Sequence, residues 1–284
     1  MDNICDLHVH STFSDGTLTP TELIRLAEES GVRAIALCDH NTVSGLPEFL
    51  SAAARSSVQA IPGVEFSTDY RDTELHILAL FVTAQHYEAV TGWTEQLLQR
   101  KERSNIELIA ALKTAGIDLD YEQIKAGTAD GFVNRAVIAA QMVRLGYCGS
   151  VREAFDRWLA PEHGYFHPPR RPDALETIRF IKSIGAVAVL AHPFLNLKEQ
   201  SLREFLPKAV TAGLDAMEVY YPKFTQAQTA LAERIARQYG LLPSGGSDFH
   251  GANKPDIQLG TGRHNLHISC ALLEQLAERA SKAP

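Results

Sequence analysis

Short apolar runs alternate with amphipathic stretches along most of this chain. The first run, Ile4 to Val9, gives way to a polar loop, and Thr19-Pro20-Thr21-Glu22 then forms a capping box with proline at the first helical position. Similar short runs begin near Ala34, Val58, Leu75, Ala186, Ala216 and Leu241. About seven strands alternating with helices predict an α/β fold, either a barrel or a wound parallel sheet.

Residues 100–166 depart from this alternation. They contain helical pieces separated by glycines and no convincing strand pattern, and the Pro-rich segment His167-Pro168-Pro169-Arg170-Arg171-Pro172 follows them as a return linker. The strand and helix alternation then resumes. The sequence therefore predicts a first barrel part at 1–99, a helical insert that acts as a lid at 100–166, and a second barrel part at 167–284.

The composition is that of an ordinary globular protein. Its 284 residues, 45% of them hydrophobic, can bury a sizeable core as one large domain with an insert. No run approaches the roughly 18 apolar residues of a membrane span, and the start Met1-Asp2-Asn3-Ile4 has neither a basic region nor an apolar signal core. Four cysteines without C-x-x-C spacing argue against a disulfide framework and a thiolate zinc site. We expect a cytoplasmic protein that does not enter membranes.

The net charge limits the partners. Sequence-independent binding to long nucleic acid depends on many Lys and Arg contacts with phosphates, and the formal charge here is −7. This balance argues against long nucleic acid as a partner, but it is compatible with a small phosphorylated ligand in a local positive site. The oligomeric state is not predicted.

Residues able to bind metal follow the predicted strands. His8 and His10 lie one pleat apart and point to the same side of the first strand, so both can reach one ion, and Asp15 follows in the next loop. His40, Glu65, His192, Asp248 and His250 also lie at or just past predicted strand ends. His76 lies near the start of its strand, which leaves the direction of that strand open. Because the carboxyl ends of barrel strands form one face, we expect all nine side chains to share one site.

Four motifs in order carry a resemblance to a known family: His8-Val9-His10, Asp39-His40, Ala191-His192-Pro193 and Ser247-Asp248-Phe249-His250. With Glu65 and His76 between the second and third motifs, the chain resembles the PHP (polymerase and histidinol phosphatase) family of metal-dependent phosphoesterases. The resemblance covers residues 1–98 and 167–265. It implies a distorted seven-stranded (β/α) barrel with an inserted small helical domain, holding three divalent ions.

The resemblance also implies a ligand set for each ion. The first ion would take His8, His10, Glu65 and Asp248; the second would share Glu65 and add His76 and His192; the third would take Asp15, His40 and His250. Asp15 stands where some members of the family have histidine. Ligands that are all nitrogen or oxygen suit Mn²⁺, Zn²⁺ or Fe²⁺, and we favour Mn²⁺.

The mechanism expected from such a trinuclear site is attack on phosphorus. The charge of three divalent ions exceeds that of the carboxylates Asp15, Glu65 and Asp248, so the pocket favours a phosphate dianion. A hydroxide bridging two ions would attack in line, since a bound metal lowers the pKa of water from about 15.7 to about 7. We assign catalytic roles to Asp15, Glu65, His192 and Asp248. The group that protonates the leaving oxygen is not assigned, and Asp15, Asp39 and a water at the third ion are the candidates.

Basic residues outside the motifs are candidates for substrate binding. Asn134 and Arg135 open a predicted helix in the insert, where backbone N–H groups and a guanidinium can hold a second phosphate. Lys223 follows a barrel strand, and Arg170 and Arg171 lie in the linker. Each of these also suits an ordinary surface role.

The insert and its Asn-Arg helix start are similar to the branch of the family that hydrolyses nucleoside 3′,5′-bisphosphates. That branch removes the 3′-phosphate of adenosine 3′,5′-bisphosphate to leave AMP. The expected partner is thus a small phosphorylated nucleotide.

Three alternatives remain open. The first is a 5′-to-3′ exonuclease acting on short 5′-phosphorylated RNA, in which case short oligonucleotides are partners too. The second is an amidohydrolase-type C–N hydrolase, although such enzymes usually bridge their metals with a modified lysine. The third is an inactive barrel kept as a binding module, which would be expected to have lost ligands.

Overall fold

A computed structural model describes residues 3–128, 131 and 133–281. In this part of the chain seven strands form one sheet. The strands are Cys5–Val9 (β1), Ala34–Leu37 (β2), Gln59–Tyr70 (β3), Thr73–Leu80 (β4), Val187–Leu190 (β5), Ala216–Tyr220 (β6) and Leu242–Gly245 (β7). The α-helices are Pro20–Glu29 (α1), Leu46–Ala53 (α2), Tyr87–Thr114 (α3), Tyr121–Ala126 (α4), Arg135–Arg144 (α5), Val151–Ala154 (α6), Ala174–Ser183 (α7), Glu199–Ala212 (α8), Gln226–Gln238 (α9) and Cys270–Ser281 (α10).

The order of strands in the sheet follows the order of the chain, from β1 to β7. All neighbouring pairs are parallel except the two that involve β4, which runs antiparallel to both β3 and β5. Tyr70 pairs with Thr73, so the chain reverses through Arg71 and Asp72 with no helix between the strands. This hairpin settles the direction of the strand that carries His76. The sheet is curled and mixed, which confirms the predicted α/β fold with a distorted seven-stranded barrel.

The two edges of the curled sheet meet through backbone contacts. The Asp248 N–H donates to the His8 carbonyl over 2.9 Å, and the His10 N–H donates to the Phe249 carbonyl, also over 2.9 Å. Asp6 adds a side-chain link, because its Oδ1 accepts a hydrogen bond from the Ser247 N–H, 241 positions away. We call this contact between β1 and the segment after β7 the seam. It brings the first and last predicted metal ligands side by side.

Apolar side chains of the strands fill the inside of the sheet. Leu7, Leu78 and Val189 belong to one buried cluster, which Leu273 and Leu276 of α10 complete. Helix α10 packs against β1, β5 and β7. Burying a leucine stabilises the fold by roughly 1.5–3 kcal/mol, so α10 is a stabilising part of the barrel.

Residues Gly92–Arg171 form a compact unit of their own, and Met1–Thr91 with Pro172–Pro284 form the other. The first of these has a separate core in which Leu108, Ile138 and Met142 are buried. The helical segment expected at 100–166 lies within it, and its role as a lid stays a prediction. Within the residues described, no helix is long and apolar enough to cross a membrane.

Candidate metal centre

Nine side chains singled out from the sequence lie close together in the barrel unit. His8 belongs to β1, Glu65 to β3 and His76 to β4, whereas the others lie in the segments that follow a strand. Ion-pair distances connect all nine: His8, His10, Asp15, His40, Glu65, His76, His192, Asp248 and His250. The structure therefore brings together residues that are far apart in sequence.

Glu65 is at the centre of this group. It is buried, and five histidine rings surround its carboxylate. Oε1 lies 2.8 Å from Nδ1 of His76 and 3.1 Å from Nε2 of His192, while Oε2 lies 3.1 Å from Nδ1 of His40 and 3.3 Å from Nε2 of both His8 and His10. A carboxylate with ring nitrogens on both oxygens has the geometry to bridge two cations.

A second group forms around Asp15, on the loop after β1. Its Oδ1 lies 3.2 Å from Nε2 of His250 and 3.7 Å from Nδ1 of His10, and its Oδ2 lies 3.7 Å from Nε2 of His40. Asp39 anchors this loop because it accepts hydrogen bonds from the Ser11 N–H, the Ser11 hydroxyl and the Ser14 hydroxyl. The loop is thus held so that Asp15 faces the histidines.

Asp248 completes the centre from the far side of the seam. Its Oδ1 lies 3.3 Å from Nε2 of His10, and its Oδ2 accepts hydrogen bonds from the Tyr221 hydroxyl over 2.8 Å and from Lys254 Nζ over 2.6 Å. The backbone of Asp248 has φ +55°, and that of His192 has φ +26°. Such conformations of non-glycine residues cost about 1–3 kcal/mol each and cluster at functional sites.

The charges in this group perturb one another. Burial raises the pKa of Glu65, but the neighbouring imidazoles, that of His76 foremost, outweigh burial and bring the pKa well below its usual value. Burial also lowers the pKa of His40, to about 3, so this ring is neutral at pH 7. The pKa of His10 rises to about 9, because Asp248 and Glu65 outweigh its burial. A cation would have to displace the proton from His10, so we expect metal binding to release protons.

Buried nitrogen and oxygen atoms that lack a hydrogen-bond partner show whether the centre fits a cation. Nδ1 of His10, Nδ1 of His40 and Oε2 of Glu65 are buried and have no hydrogen-bond partner. Buried polar atoms without partners are rare and need a specific explanation. In addition, Nε2 of His8 and Nε2 of His10 lie only 3.0 Å apart, about the spacing of two ligands on one ion at roughly 2.1 Å each. The nitrogen and oxygen donors therefore fit divalent cations.

Among the residues that the structure describes, three overlapping groups have ligand atoms that all lie within 4.8 Å of one another. They are His10, Asp15, His40 and His250; His8, His10 and Glu65; and His40, Glu65 and His76. His10 and His40 each belong to two groups, so these distances alone do not assign each histidine to a single ion. The division of the nine ligands among three ions stays a prediction.

The predicted substrate-binding residues are more dispersed. Lys223 is exposed in the loop after β6. Asn134 caps α5 by accepting a hydrogen bond from the Val137 N–H, and Arg135 donates to the Leu159 carbonyl with its guanidinium 4.1 Å from the Phe166 ring centroid. Arg170 is exposed, Arg171 is half-buried, and both belong to the 92–171 unit. Binding of phosphate by these five residues stays a prediction.

Sequence reasoning missed several residues that contact the centre, among them Glu74, whose Oε1 lies 3.2 Å from Nε2 of His76. Tyr221 and Lys254 both donate to Asp248, and Glu218 contacts His8. Glu218 gave a usable signal, because an acidic residue in the middle of an apolar strand requires a buried partner. Lys254 gave no such signal, because no sequence pattern links a lysine six residues after Asp248 to that carboxylate.

Comparison with known proteins agrees with this geometry. A family model described as the PHP domain matches residues 6–160. A 5′-3′ exoribonuclease from Haemophilus influenzae is 35% identical over 246 residues, which cover 86% of this chain and 89% of that protein. A 3′,5′-nucleoside bisphosphate phosphatase from Chromobacterium violaceum is 29% identical over 255 residues, covering 86% of each chain. A crystal structure described as a metal-dependent phosphoesterase from Bifidobacterium adolescentis superposes with a TM-score of 0.84 at 26% identity, covering 98% of this chain and 96% of that one.

Proposed function

The chain belongs to the PHP domain family and is a hydrolase, a metal-dependent phosphoesterase, and from this premise we propose that it removes the 3′-phosphate of nucleoside 3′,5′-bisphosphates. Adenosine 3′,5′-bisphosphate would give AMP and inorganic phosphate. The relative from Chromobacterium violaceum supports this choice by its name. Family membership favours phosphoester chemistry over the C–N hydrolase and inactive-barrel alternatives.

The observation that carries the proposal is the arrangement around Glu65, where five histidine rings surround one buried carboxylate with an unsatisfied oxygen. We propose that the nine side chains hold three divalent ions, with Mn²⁺ favoured. When bound, such ions supply positive charge for the phosphate oxygens and lower the pKa of water toward neutrality. Only three of the nine ligands are carboxylates, so the protein leaves much of that positive charge available to the substrate.

The chain's own residues prepare the site for one orientation of the phosphate. Asp39 fixes the loop of Asp15, and Tyr221 fixes Asp248 through its hydroxyl. Lys254 holds a proton at Nζ beside Asp248, and its side chain is 28% exposed, so it can also reach solvent. We propose that this ammonium group protonates the leaving 3′-oxygen. The sequence alone had left that role unassigned.

A second candidate function is 5′-to-3′ exonuclease activity on short 5′-phosphorylated RNA. The Haemophilus influenzae relative, which shares 35% identity, is named a 5′-3′ exoribonuclease. Releasing a 5′-mononucleotide from the 5′ end of RNA breaks the P–O3′ bond of that nucleotide, which is the bond broken in a 3′,5′-bisphosphate. The two reactions thus differ in the second substituent on phosphorus. The bisphosphate carries a phosphate monoester there, whereas in RNA the same phosphorus is also esterified to the next nucleotide. In both reactions the proposed partner is a 5′-phosphorylated nucleotide. Localisation in the cytoplasm stays a prediction.

The test compares the two substrates with one enzyme preparation loaded with Mn²⁺. Phosphate release from adenosine 3′,5′-bisphosphate is measured against AMP release from a short 5′-phosphorylated oligoadenylate, and Glu65→Gln serves as a control for contaminating phosphatases. A higher kcat/KM for the bisphosphate is expected. A clearly higher value for the oligonucleotide would make the exonuclease the main function, and no turnover of either would refute both.

A further variant tests the second phosphate. We expect Arg135→Gln to raise KM for the bisphosphate and to leave the hydrolysis of p-nitrophenyl phosphate unchanged, because the aryl ester has no second phosphate. A matched control is Arg152→Gln, which removes a more exposed arginine from the same unit. Equal effects of Arg135→Gln on both substrates would remove Arg135 from the binding site.

A further inference from the structure

Glu218 is a buried carboxylate that is not among the nine predicted metal ligands. It lies in the middle of β6 with no exposed surface, and both of its oxygens are engaged. Oε1 lies 2.9 Å from Nδ1 of His8, and Oε2 accepts a hydrogen bond from the backbone N–H of His192 over 2.6 Å. One side chain on β6 therefore connects the residues that β1 and β5 bring to the centre.

The contact with His8 selects one tautomer of the ring. A carboxylate can only accept a hydrogen bond, so Nδ1 of His8 must carry the proton that faces Glu218. In the neutral ring Nε2 is then the unprotonated nitrogen. This atom lies 3.3 Å from Oε2 of Glu65 and 3.0 Å from Nε2 of His10, so it faces the centre. A histidine that donates from one nitrogen to a carboxylate is fixed to bind metal through the other.

The contact with His192 holds a strained backbone. His192 has φ +26° and ψ +57°, a conformation that a non-glycine residue keeps only when its surroundings impose it. The bond from its N–H to Glu218 is one such restraint. In this position Nε2 of His192 lies 3.1 Å from Oε1 of Glu65. His8 and His192 therefore approach opposite oxygens of Glu65, and Glu218 restrains both.

We propose that Glu218 is a positioning residue that sets the tautomer of His8 and the placement of His192, so that both present Nε2 to divalent cations shared through Glu65. The inference rests on the metal centre of the proposed function, but it does not depend on which phosphoester is hydrolysed. Glu218 itself does not contact the substrate in this account.

Replacement by glutamine is informative because the side chain keeps its shape. An amide has only one accepting oxygen. If that oxygen stays on the His192 N–H, the amide NH₂ faces His8 and favours the tautomer with a proton on Nε2, the nitrogen that must bind metal. If the oxygen turns toward His8, the NH₂ meets the His192 N–H and the restraint on that backbone is lost. Either orientation weakens metal binding.

The experiment measures the affinity of the stripped full-length protein for Mn²⁺ alone, by competition with a chelator. We expect Glu218→Gln to bind roughly 10- to 100-fold more weakly than the wild type, the range found when partners of metal ligands are removed. The matched control is Asp215→Asn. Asp215 is also a buried carboxylate beside β6, but it accepts from Lys182 Nζ and from the Ala188 N–H, away from the centre. This control should lower the melting temperature and leave Mn²⁺ affinity within twofold.

A second measurement is made on the wild type and therefore does not depend on whether Glu218→Gln folds. In the Zn²⁺-loaded wild type with ¹⁵N-labelled histidine, NMR should show the proton of His8 on Nδ1, with the signal assigned by its loss in His8→Asn. A proton on Nε2 of His8, or Mn²⁺ affinity of Glu218→Gln equal to that of the wild type, would overturn the inference alone. A wild-type protein that binds no Mn²⁺ would overturn the proposed function, and the inference with it.

Discussion

Glu65 is the residue on which the centre depends most directly, because it contacts five histidines that come from four different segments of the chain. Its role could be read partly from sequence, since a glutamate followed a predicted strand and stood between two histidine motifs. The distances from the Glu65 carboxylate to each imidazole ring could not be predicted from the sequence. They depend on where β1, β4 and β5 stand around β3, which no local pattern specifies.

We expect Glu65→Gln to reduce phosphoesterase activity by more than roughly 100-fold, the upper end of losses for residues that only support a ligand. A neutral amide would remove one of the three carboxylate charges proposed to hold the cations. The measurement is phosphate release at saturating Mn²⁺. Glu233→Gln is the control, because Glu233 contacts only the Tyr220 hydroxyl among the bonds described for it. Activity of Glu65→Gln close to that of the control would remove the metal centre from the account.

Lys254→Gln tests the source of the proton for the leaving oxygen. General acid catalysis contributes about 10²–10⁴-fold, and an ester with a good leaving group needs it less. We therefore expect a large loss of kcat on adenosine 3′,5′-bisphosphate and a small loss on p-nitrophenyl phosphate. If both rates fall equally, Lys254 serves only to hold Asp248.

Single residues also show where sequence reasoning stops. The nine metal-competent residues were recognisable because their chemistry is unusual at strand ends. Tyr221 and Lys254 were missed because no local pattern marks a tyrosine or a lysine as a partner of Asp248. Glu218 was missed although an acidic residue inside an apolar strand is unusual, because its partner His8 is 210 positions away. Asp39 was recognised as part of a motif and as a candidate proton donor, but its hydrogen bonds to the loop of Asp15 were not predicted.

Elements of the barrel place the ligands through their ends and their close contacts. The β3–β4 hairpin carries Glu65 and His76 on one continuous ribbon, which explains how a histidine near the start of a strand reaches the same face as ligands at strand ends. The capping box of α1 was predicted correctly because its signal is local. The Thr19 N–H donates to Glu22 Oε2, and the Glu22 N–H donates to Thr19 Oγ1. The reversed direction of β4 was not predicted, since alternation of apolar residues does not encode direction.

The capping box predicts a pH dependence of stability. Hydrogen bonds from Thr19 lower the pKa of Glu22 below its usual value of 4.5. The stabilisation is therefore fully present above pH 4.5 and is lost as pH falls through the lower pKa of the folded state. We expect Glu22→Gln to reduce the free energy of unfolding at pH 7, and the difference from wild type to shrink toward pH 3. Urea titrations at both pH values measure this; a constant difference would contradict it.

Gly246, which directly follows β7, lies so close to β1 that a side chain there would collide with His8. A Cβ at this position would lie 2.3 Å from Cβ of His8 and 2.6 Å from its backbone nitrogen. We expect Gly246→Ala to destabilise the protein by about 1–3 kcal/mol, as overpacking does, and to weaken Mn²⁺ binding because His8 must move. Urea titration and metal competition measure the two effects.

Gly92→Ala is the control, since a Cβ there meets nothing within 4 Å and alanine favours the helix. Unchanged stability and metal affinity in Gly246→Ala would mean that the seam can open to admit the methyl group.

At the scale of the whole chain, the seven strands of the sheet follow the order of the sequence, and the unit Gly92–Arg171 interrupts the sequence between β4 and β5. The strand and helix alternation predicted the fold class. The insert at 100–166 stays a prediction, and its residues lie within the unit Gly92–Arg171. Closure of the seam was not predictable from local pattern. It depends on hydrogen bonds such as the one from Ser247 to Asp6, whose partners are 241 positions apart.

Metal removal should destabilise the barrel unit as a whole. A ligand that binds only the folded state stabilises it by about 2.7 kcal/mol when present at 100 times its dissociation constant. We expect a chelator to lower the melting temperature of the wild type and added Mn²⁺ to restore it. Calorimetry with and without the chelator measures this change. The melting temperature of Glu65→Gln should respond little to either addition, and an equal response would place the stabilising ion elsewhere.

The order of strands has a consequence for synthesis on the ribosome. Six of the nine predicted ligands precede the inserted unit, whereas Asp248 and His250 follow β7 and leave the ribosome later. A nascent chain can therefore hold a cation only with an incomplete set of donors. Under the proposed ligand set, a chain interrupted before β7 would lack two of the nine donors and should bind cations more weakly.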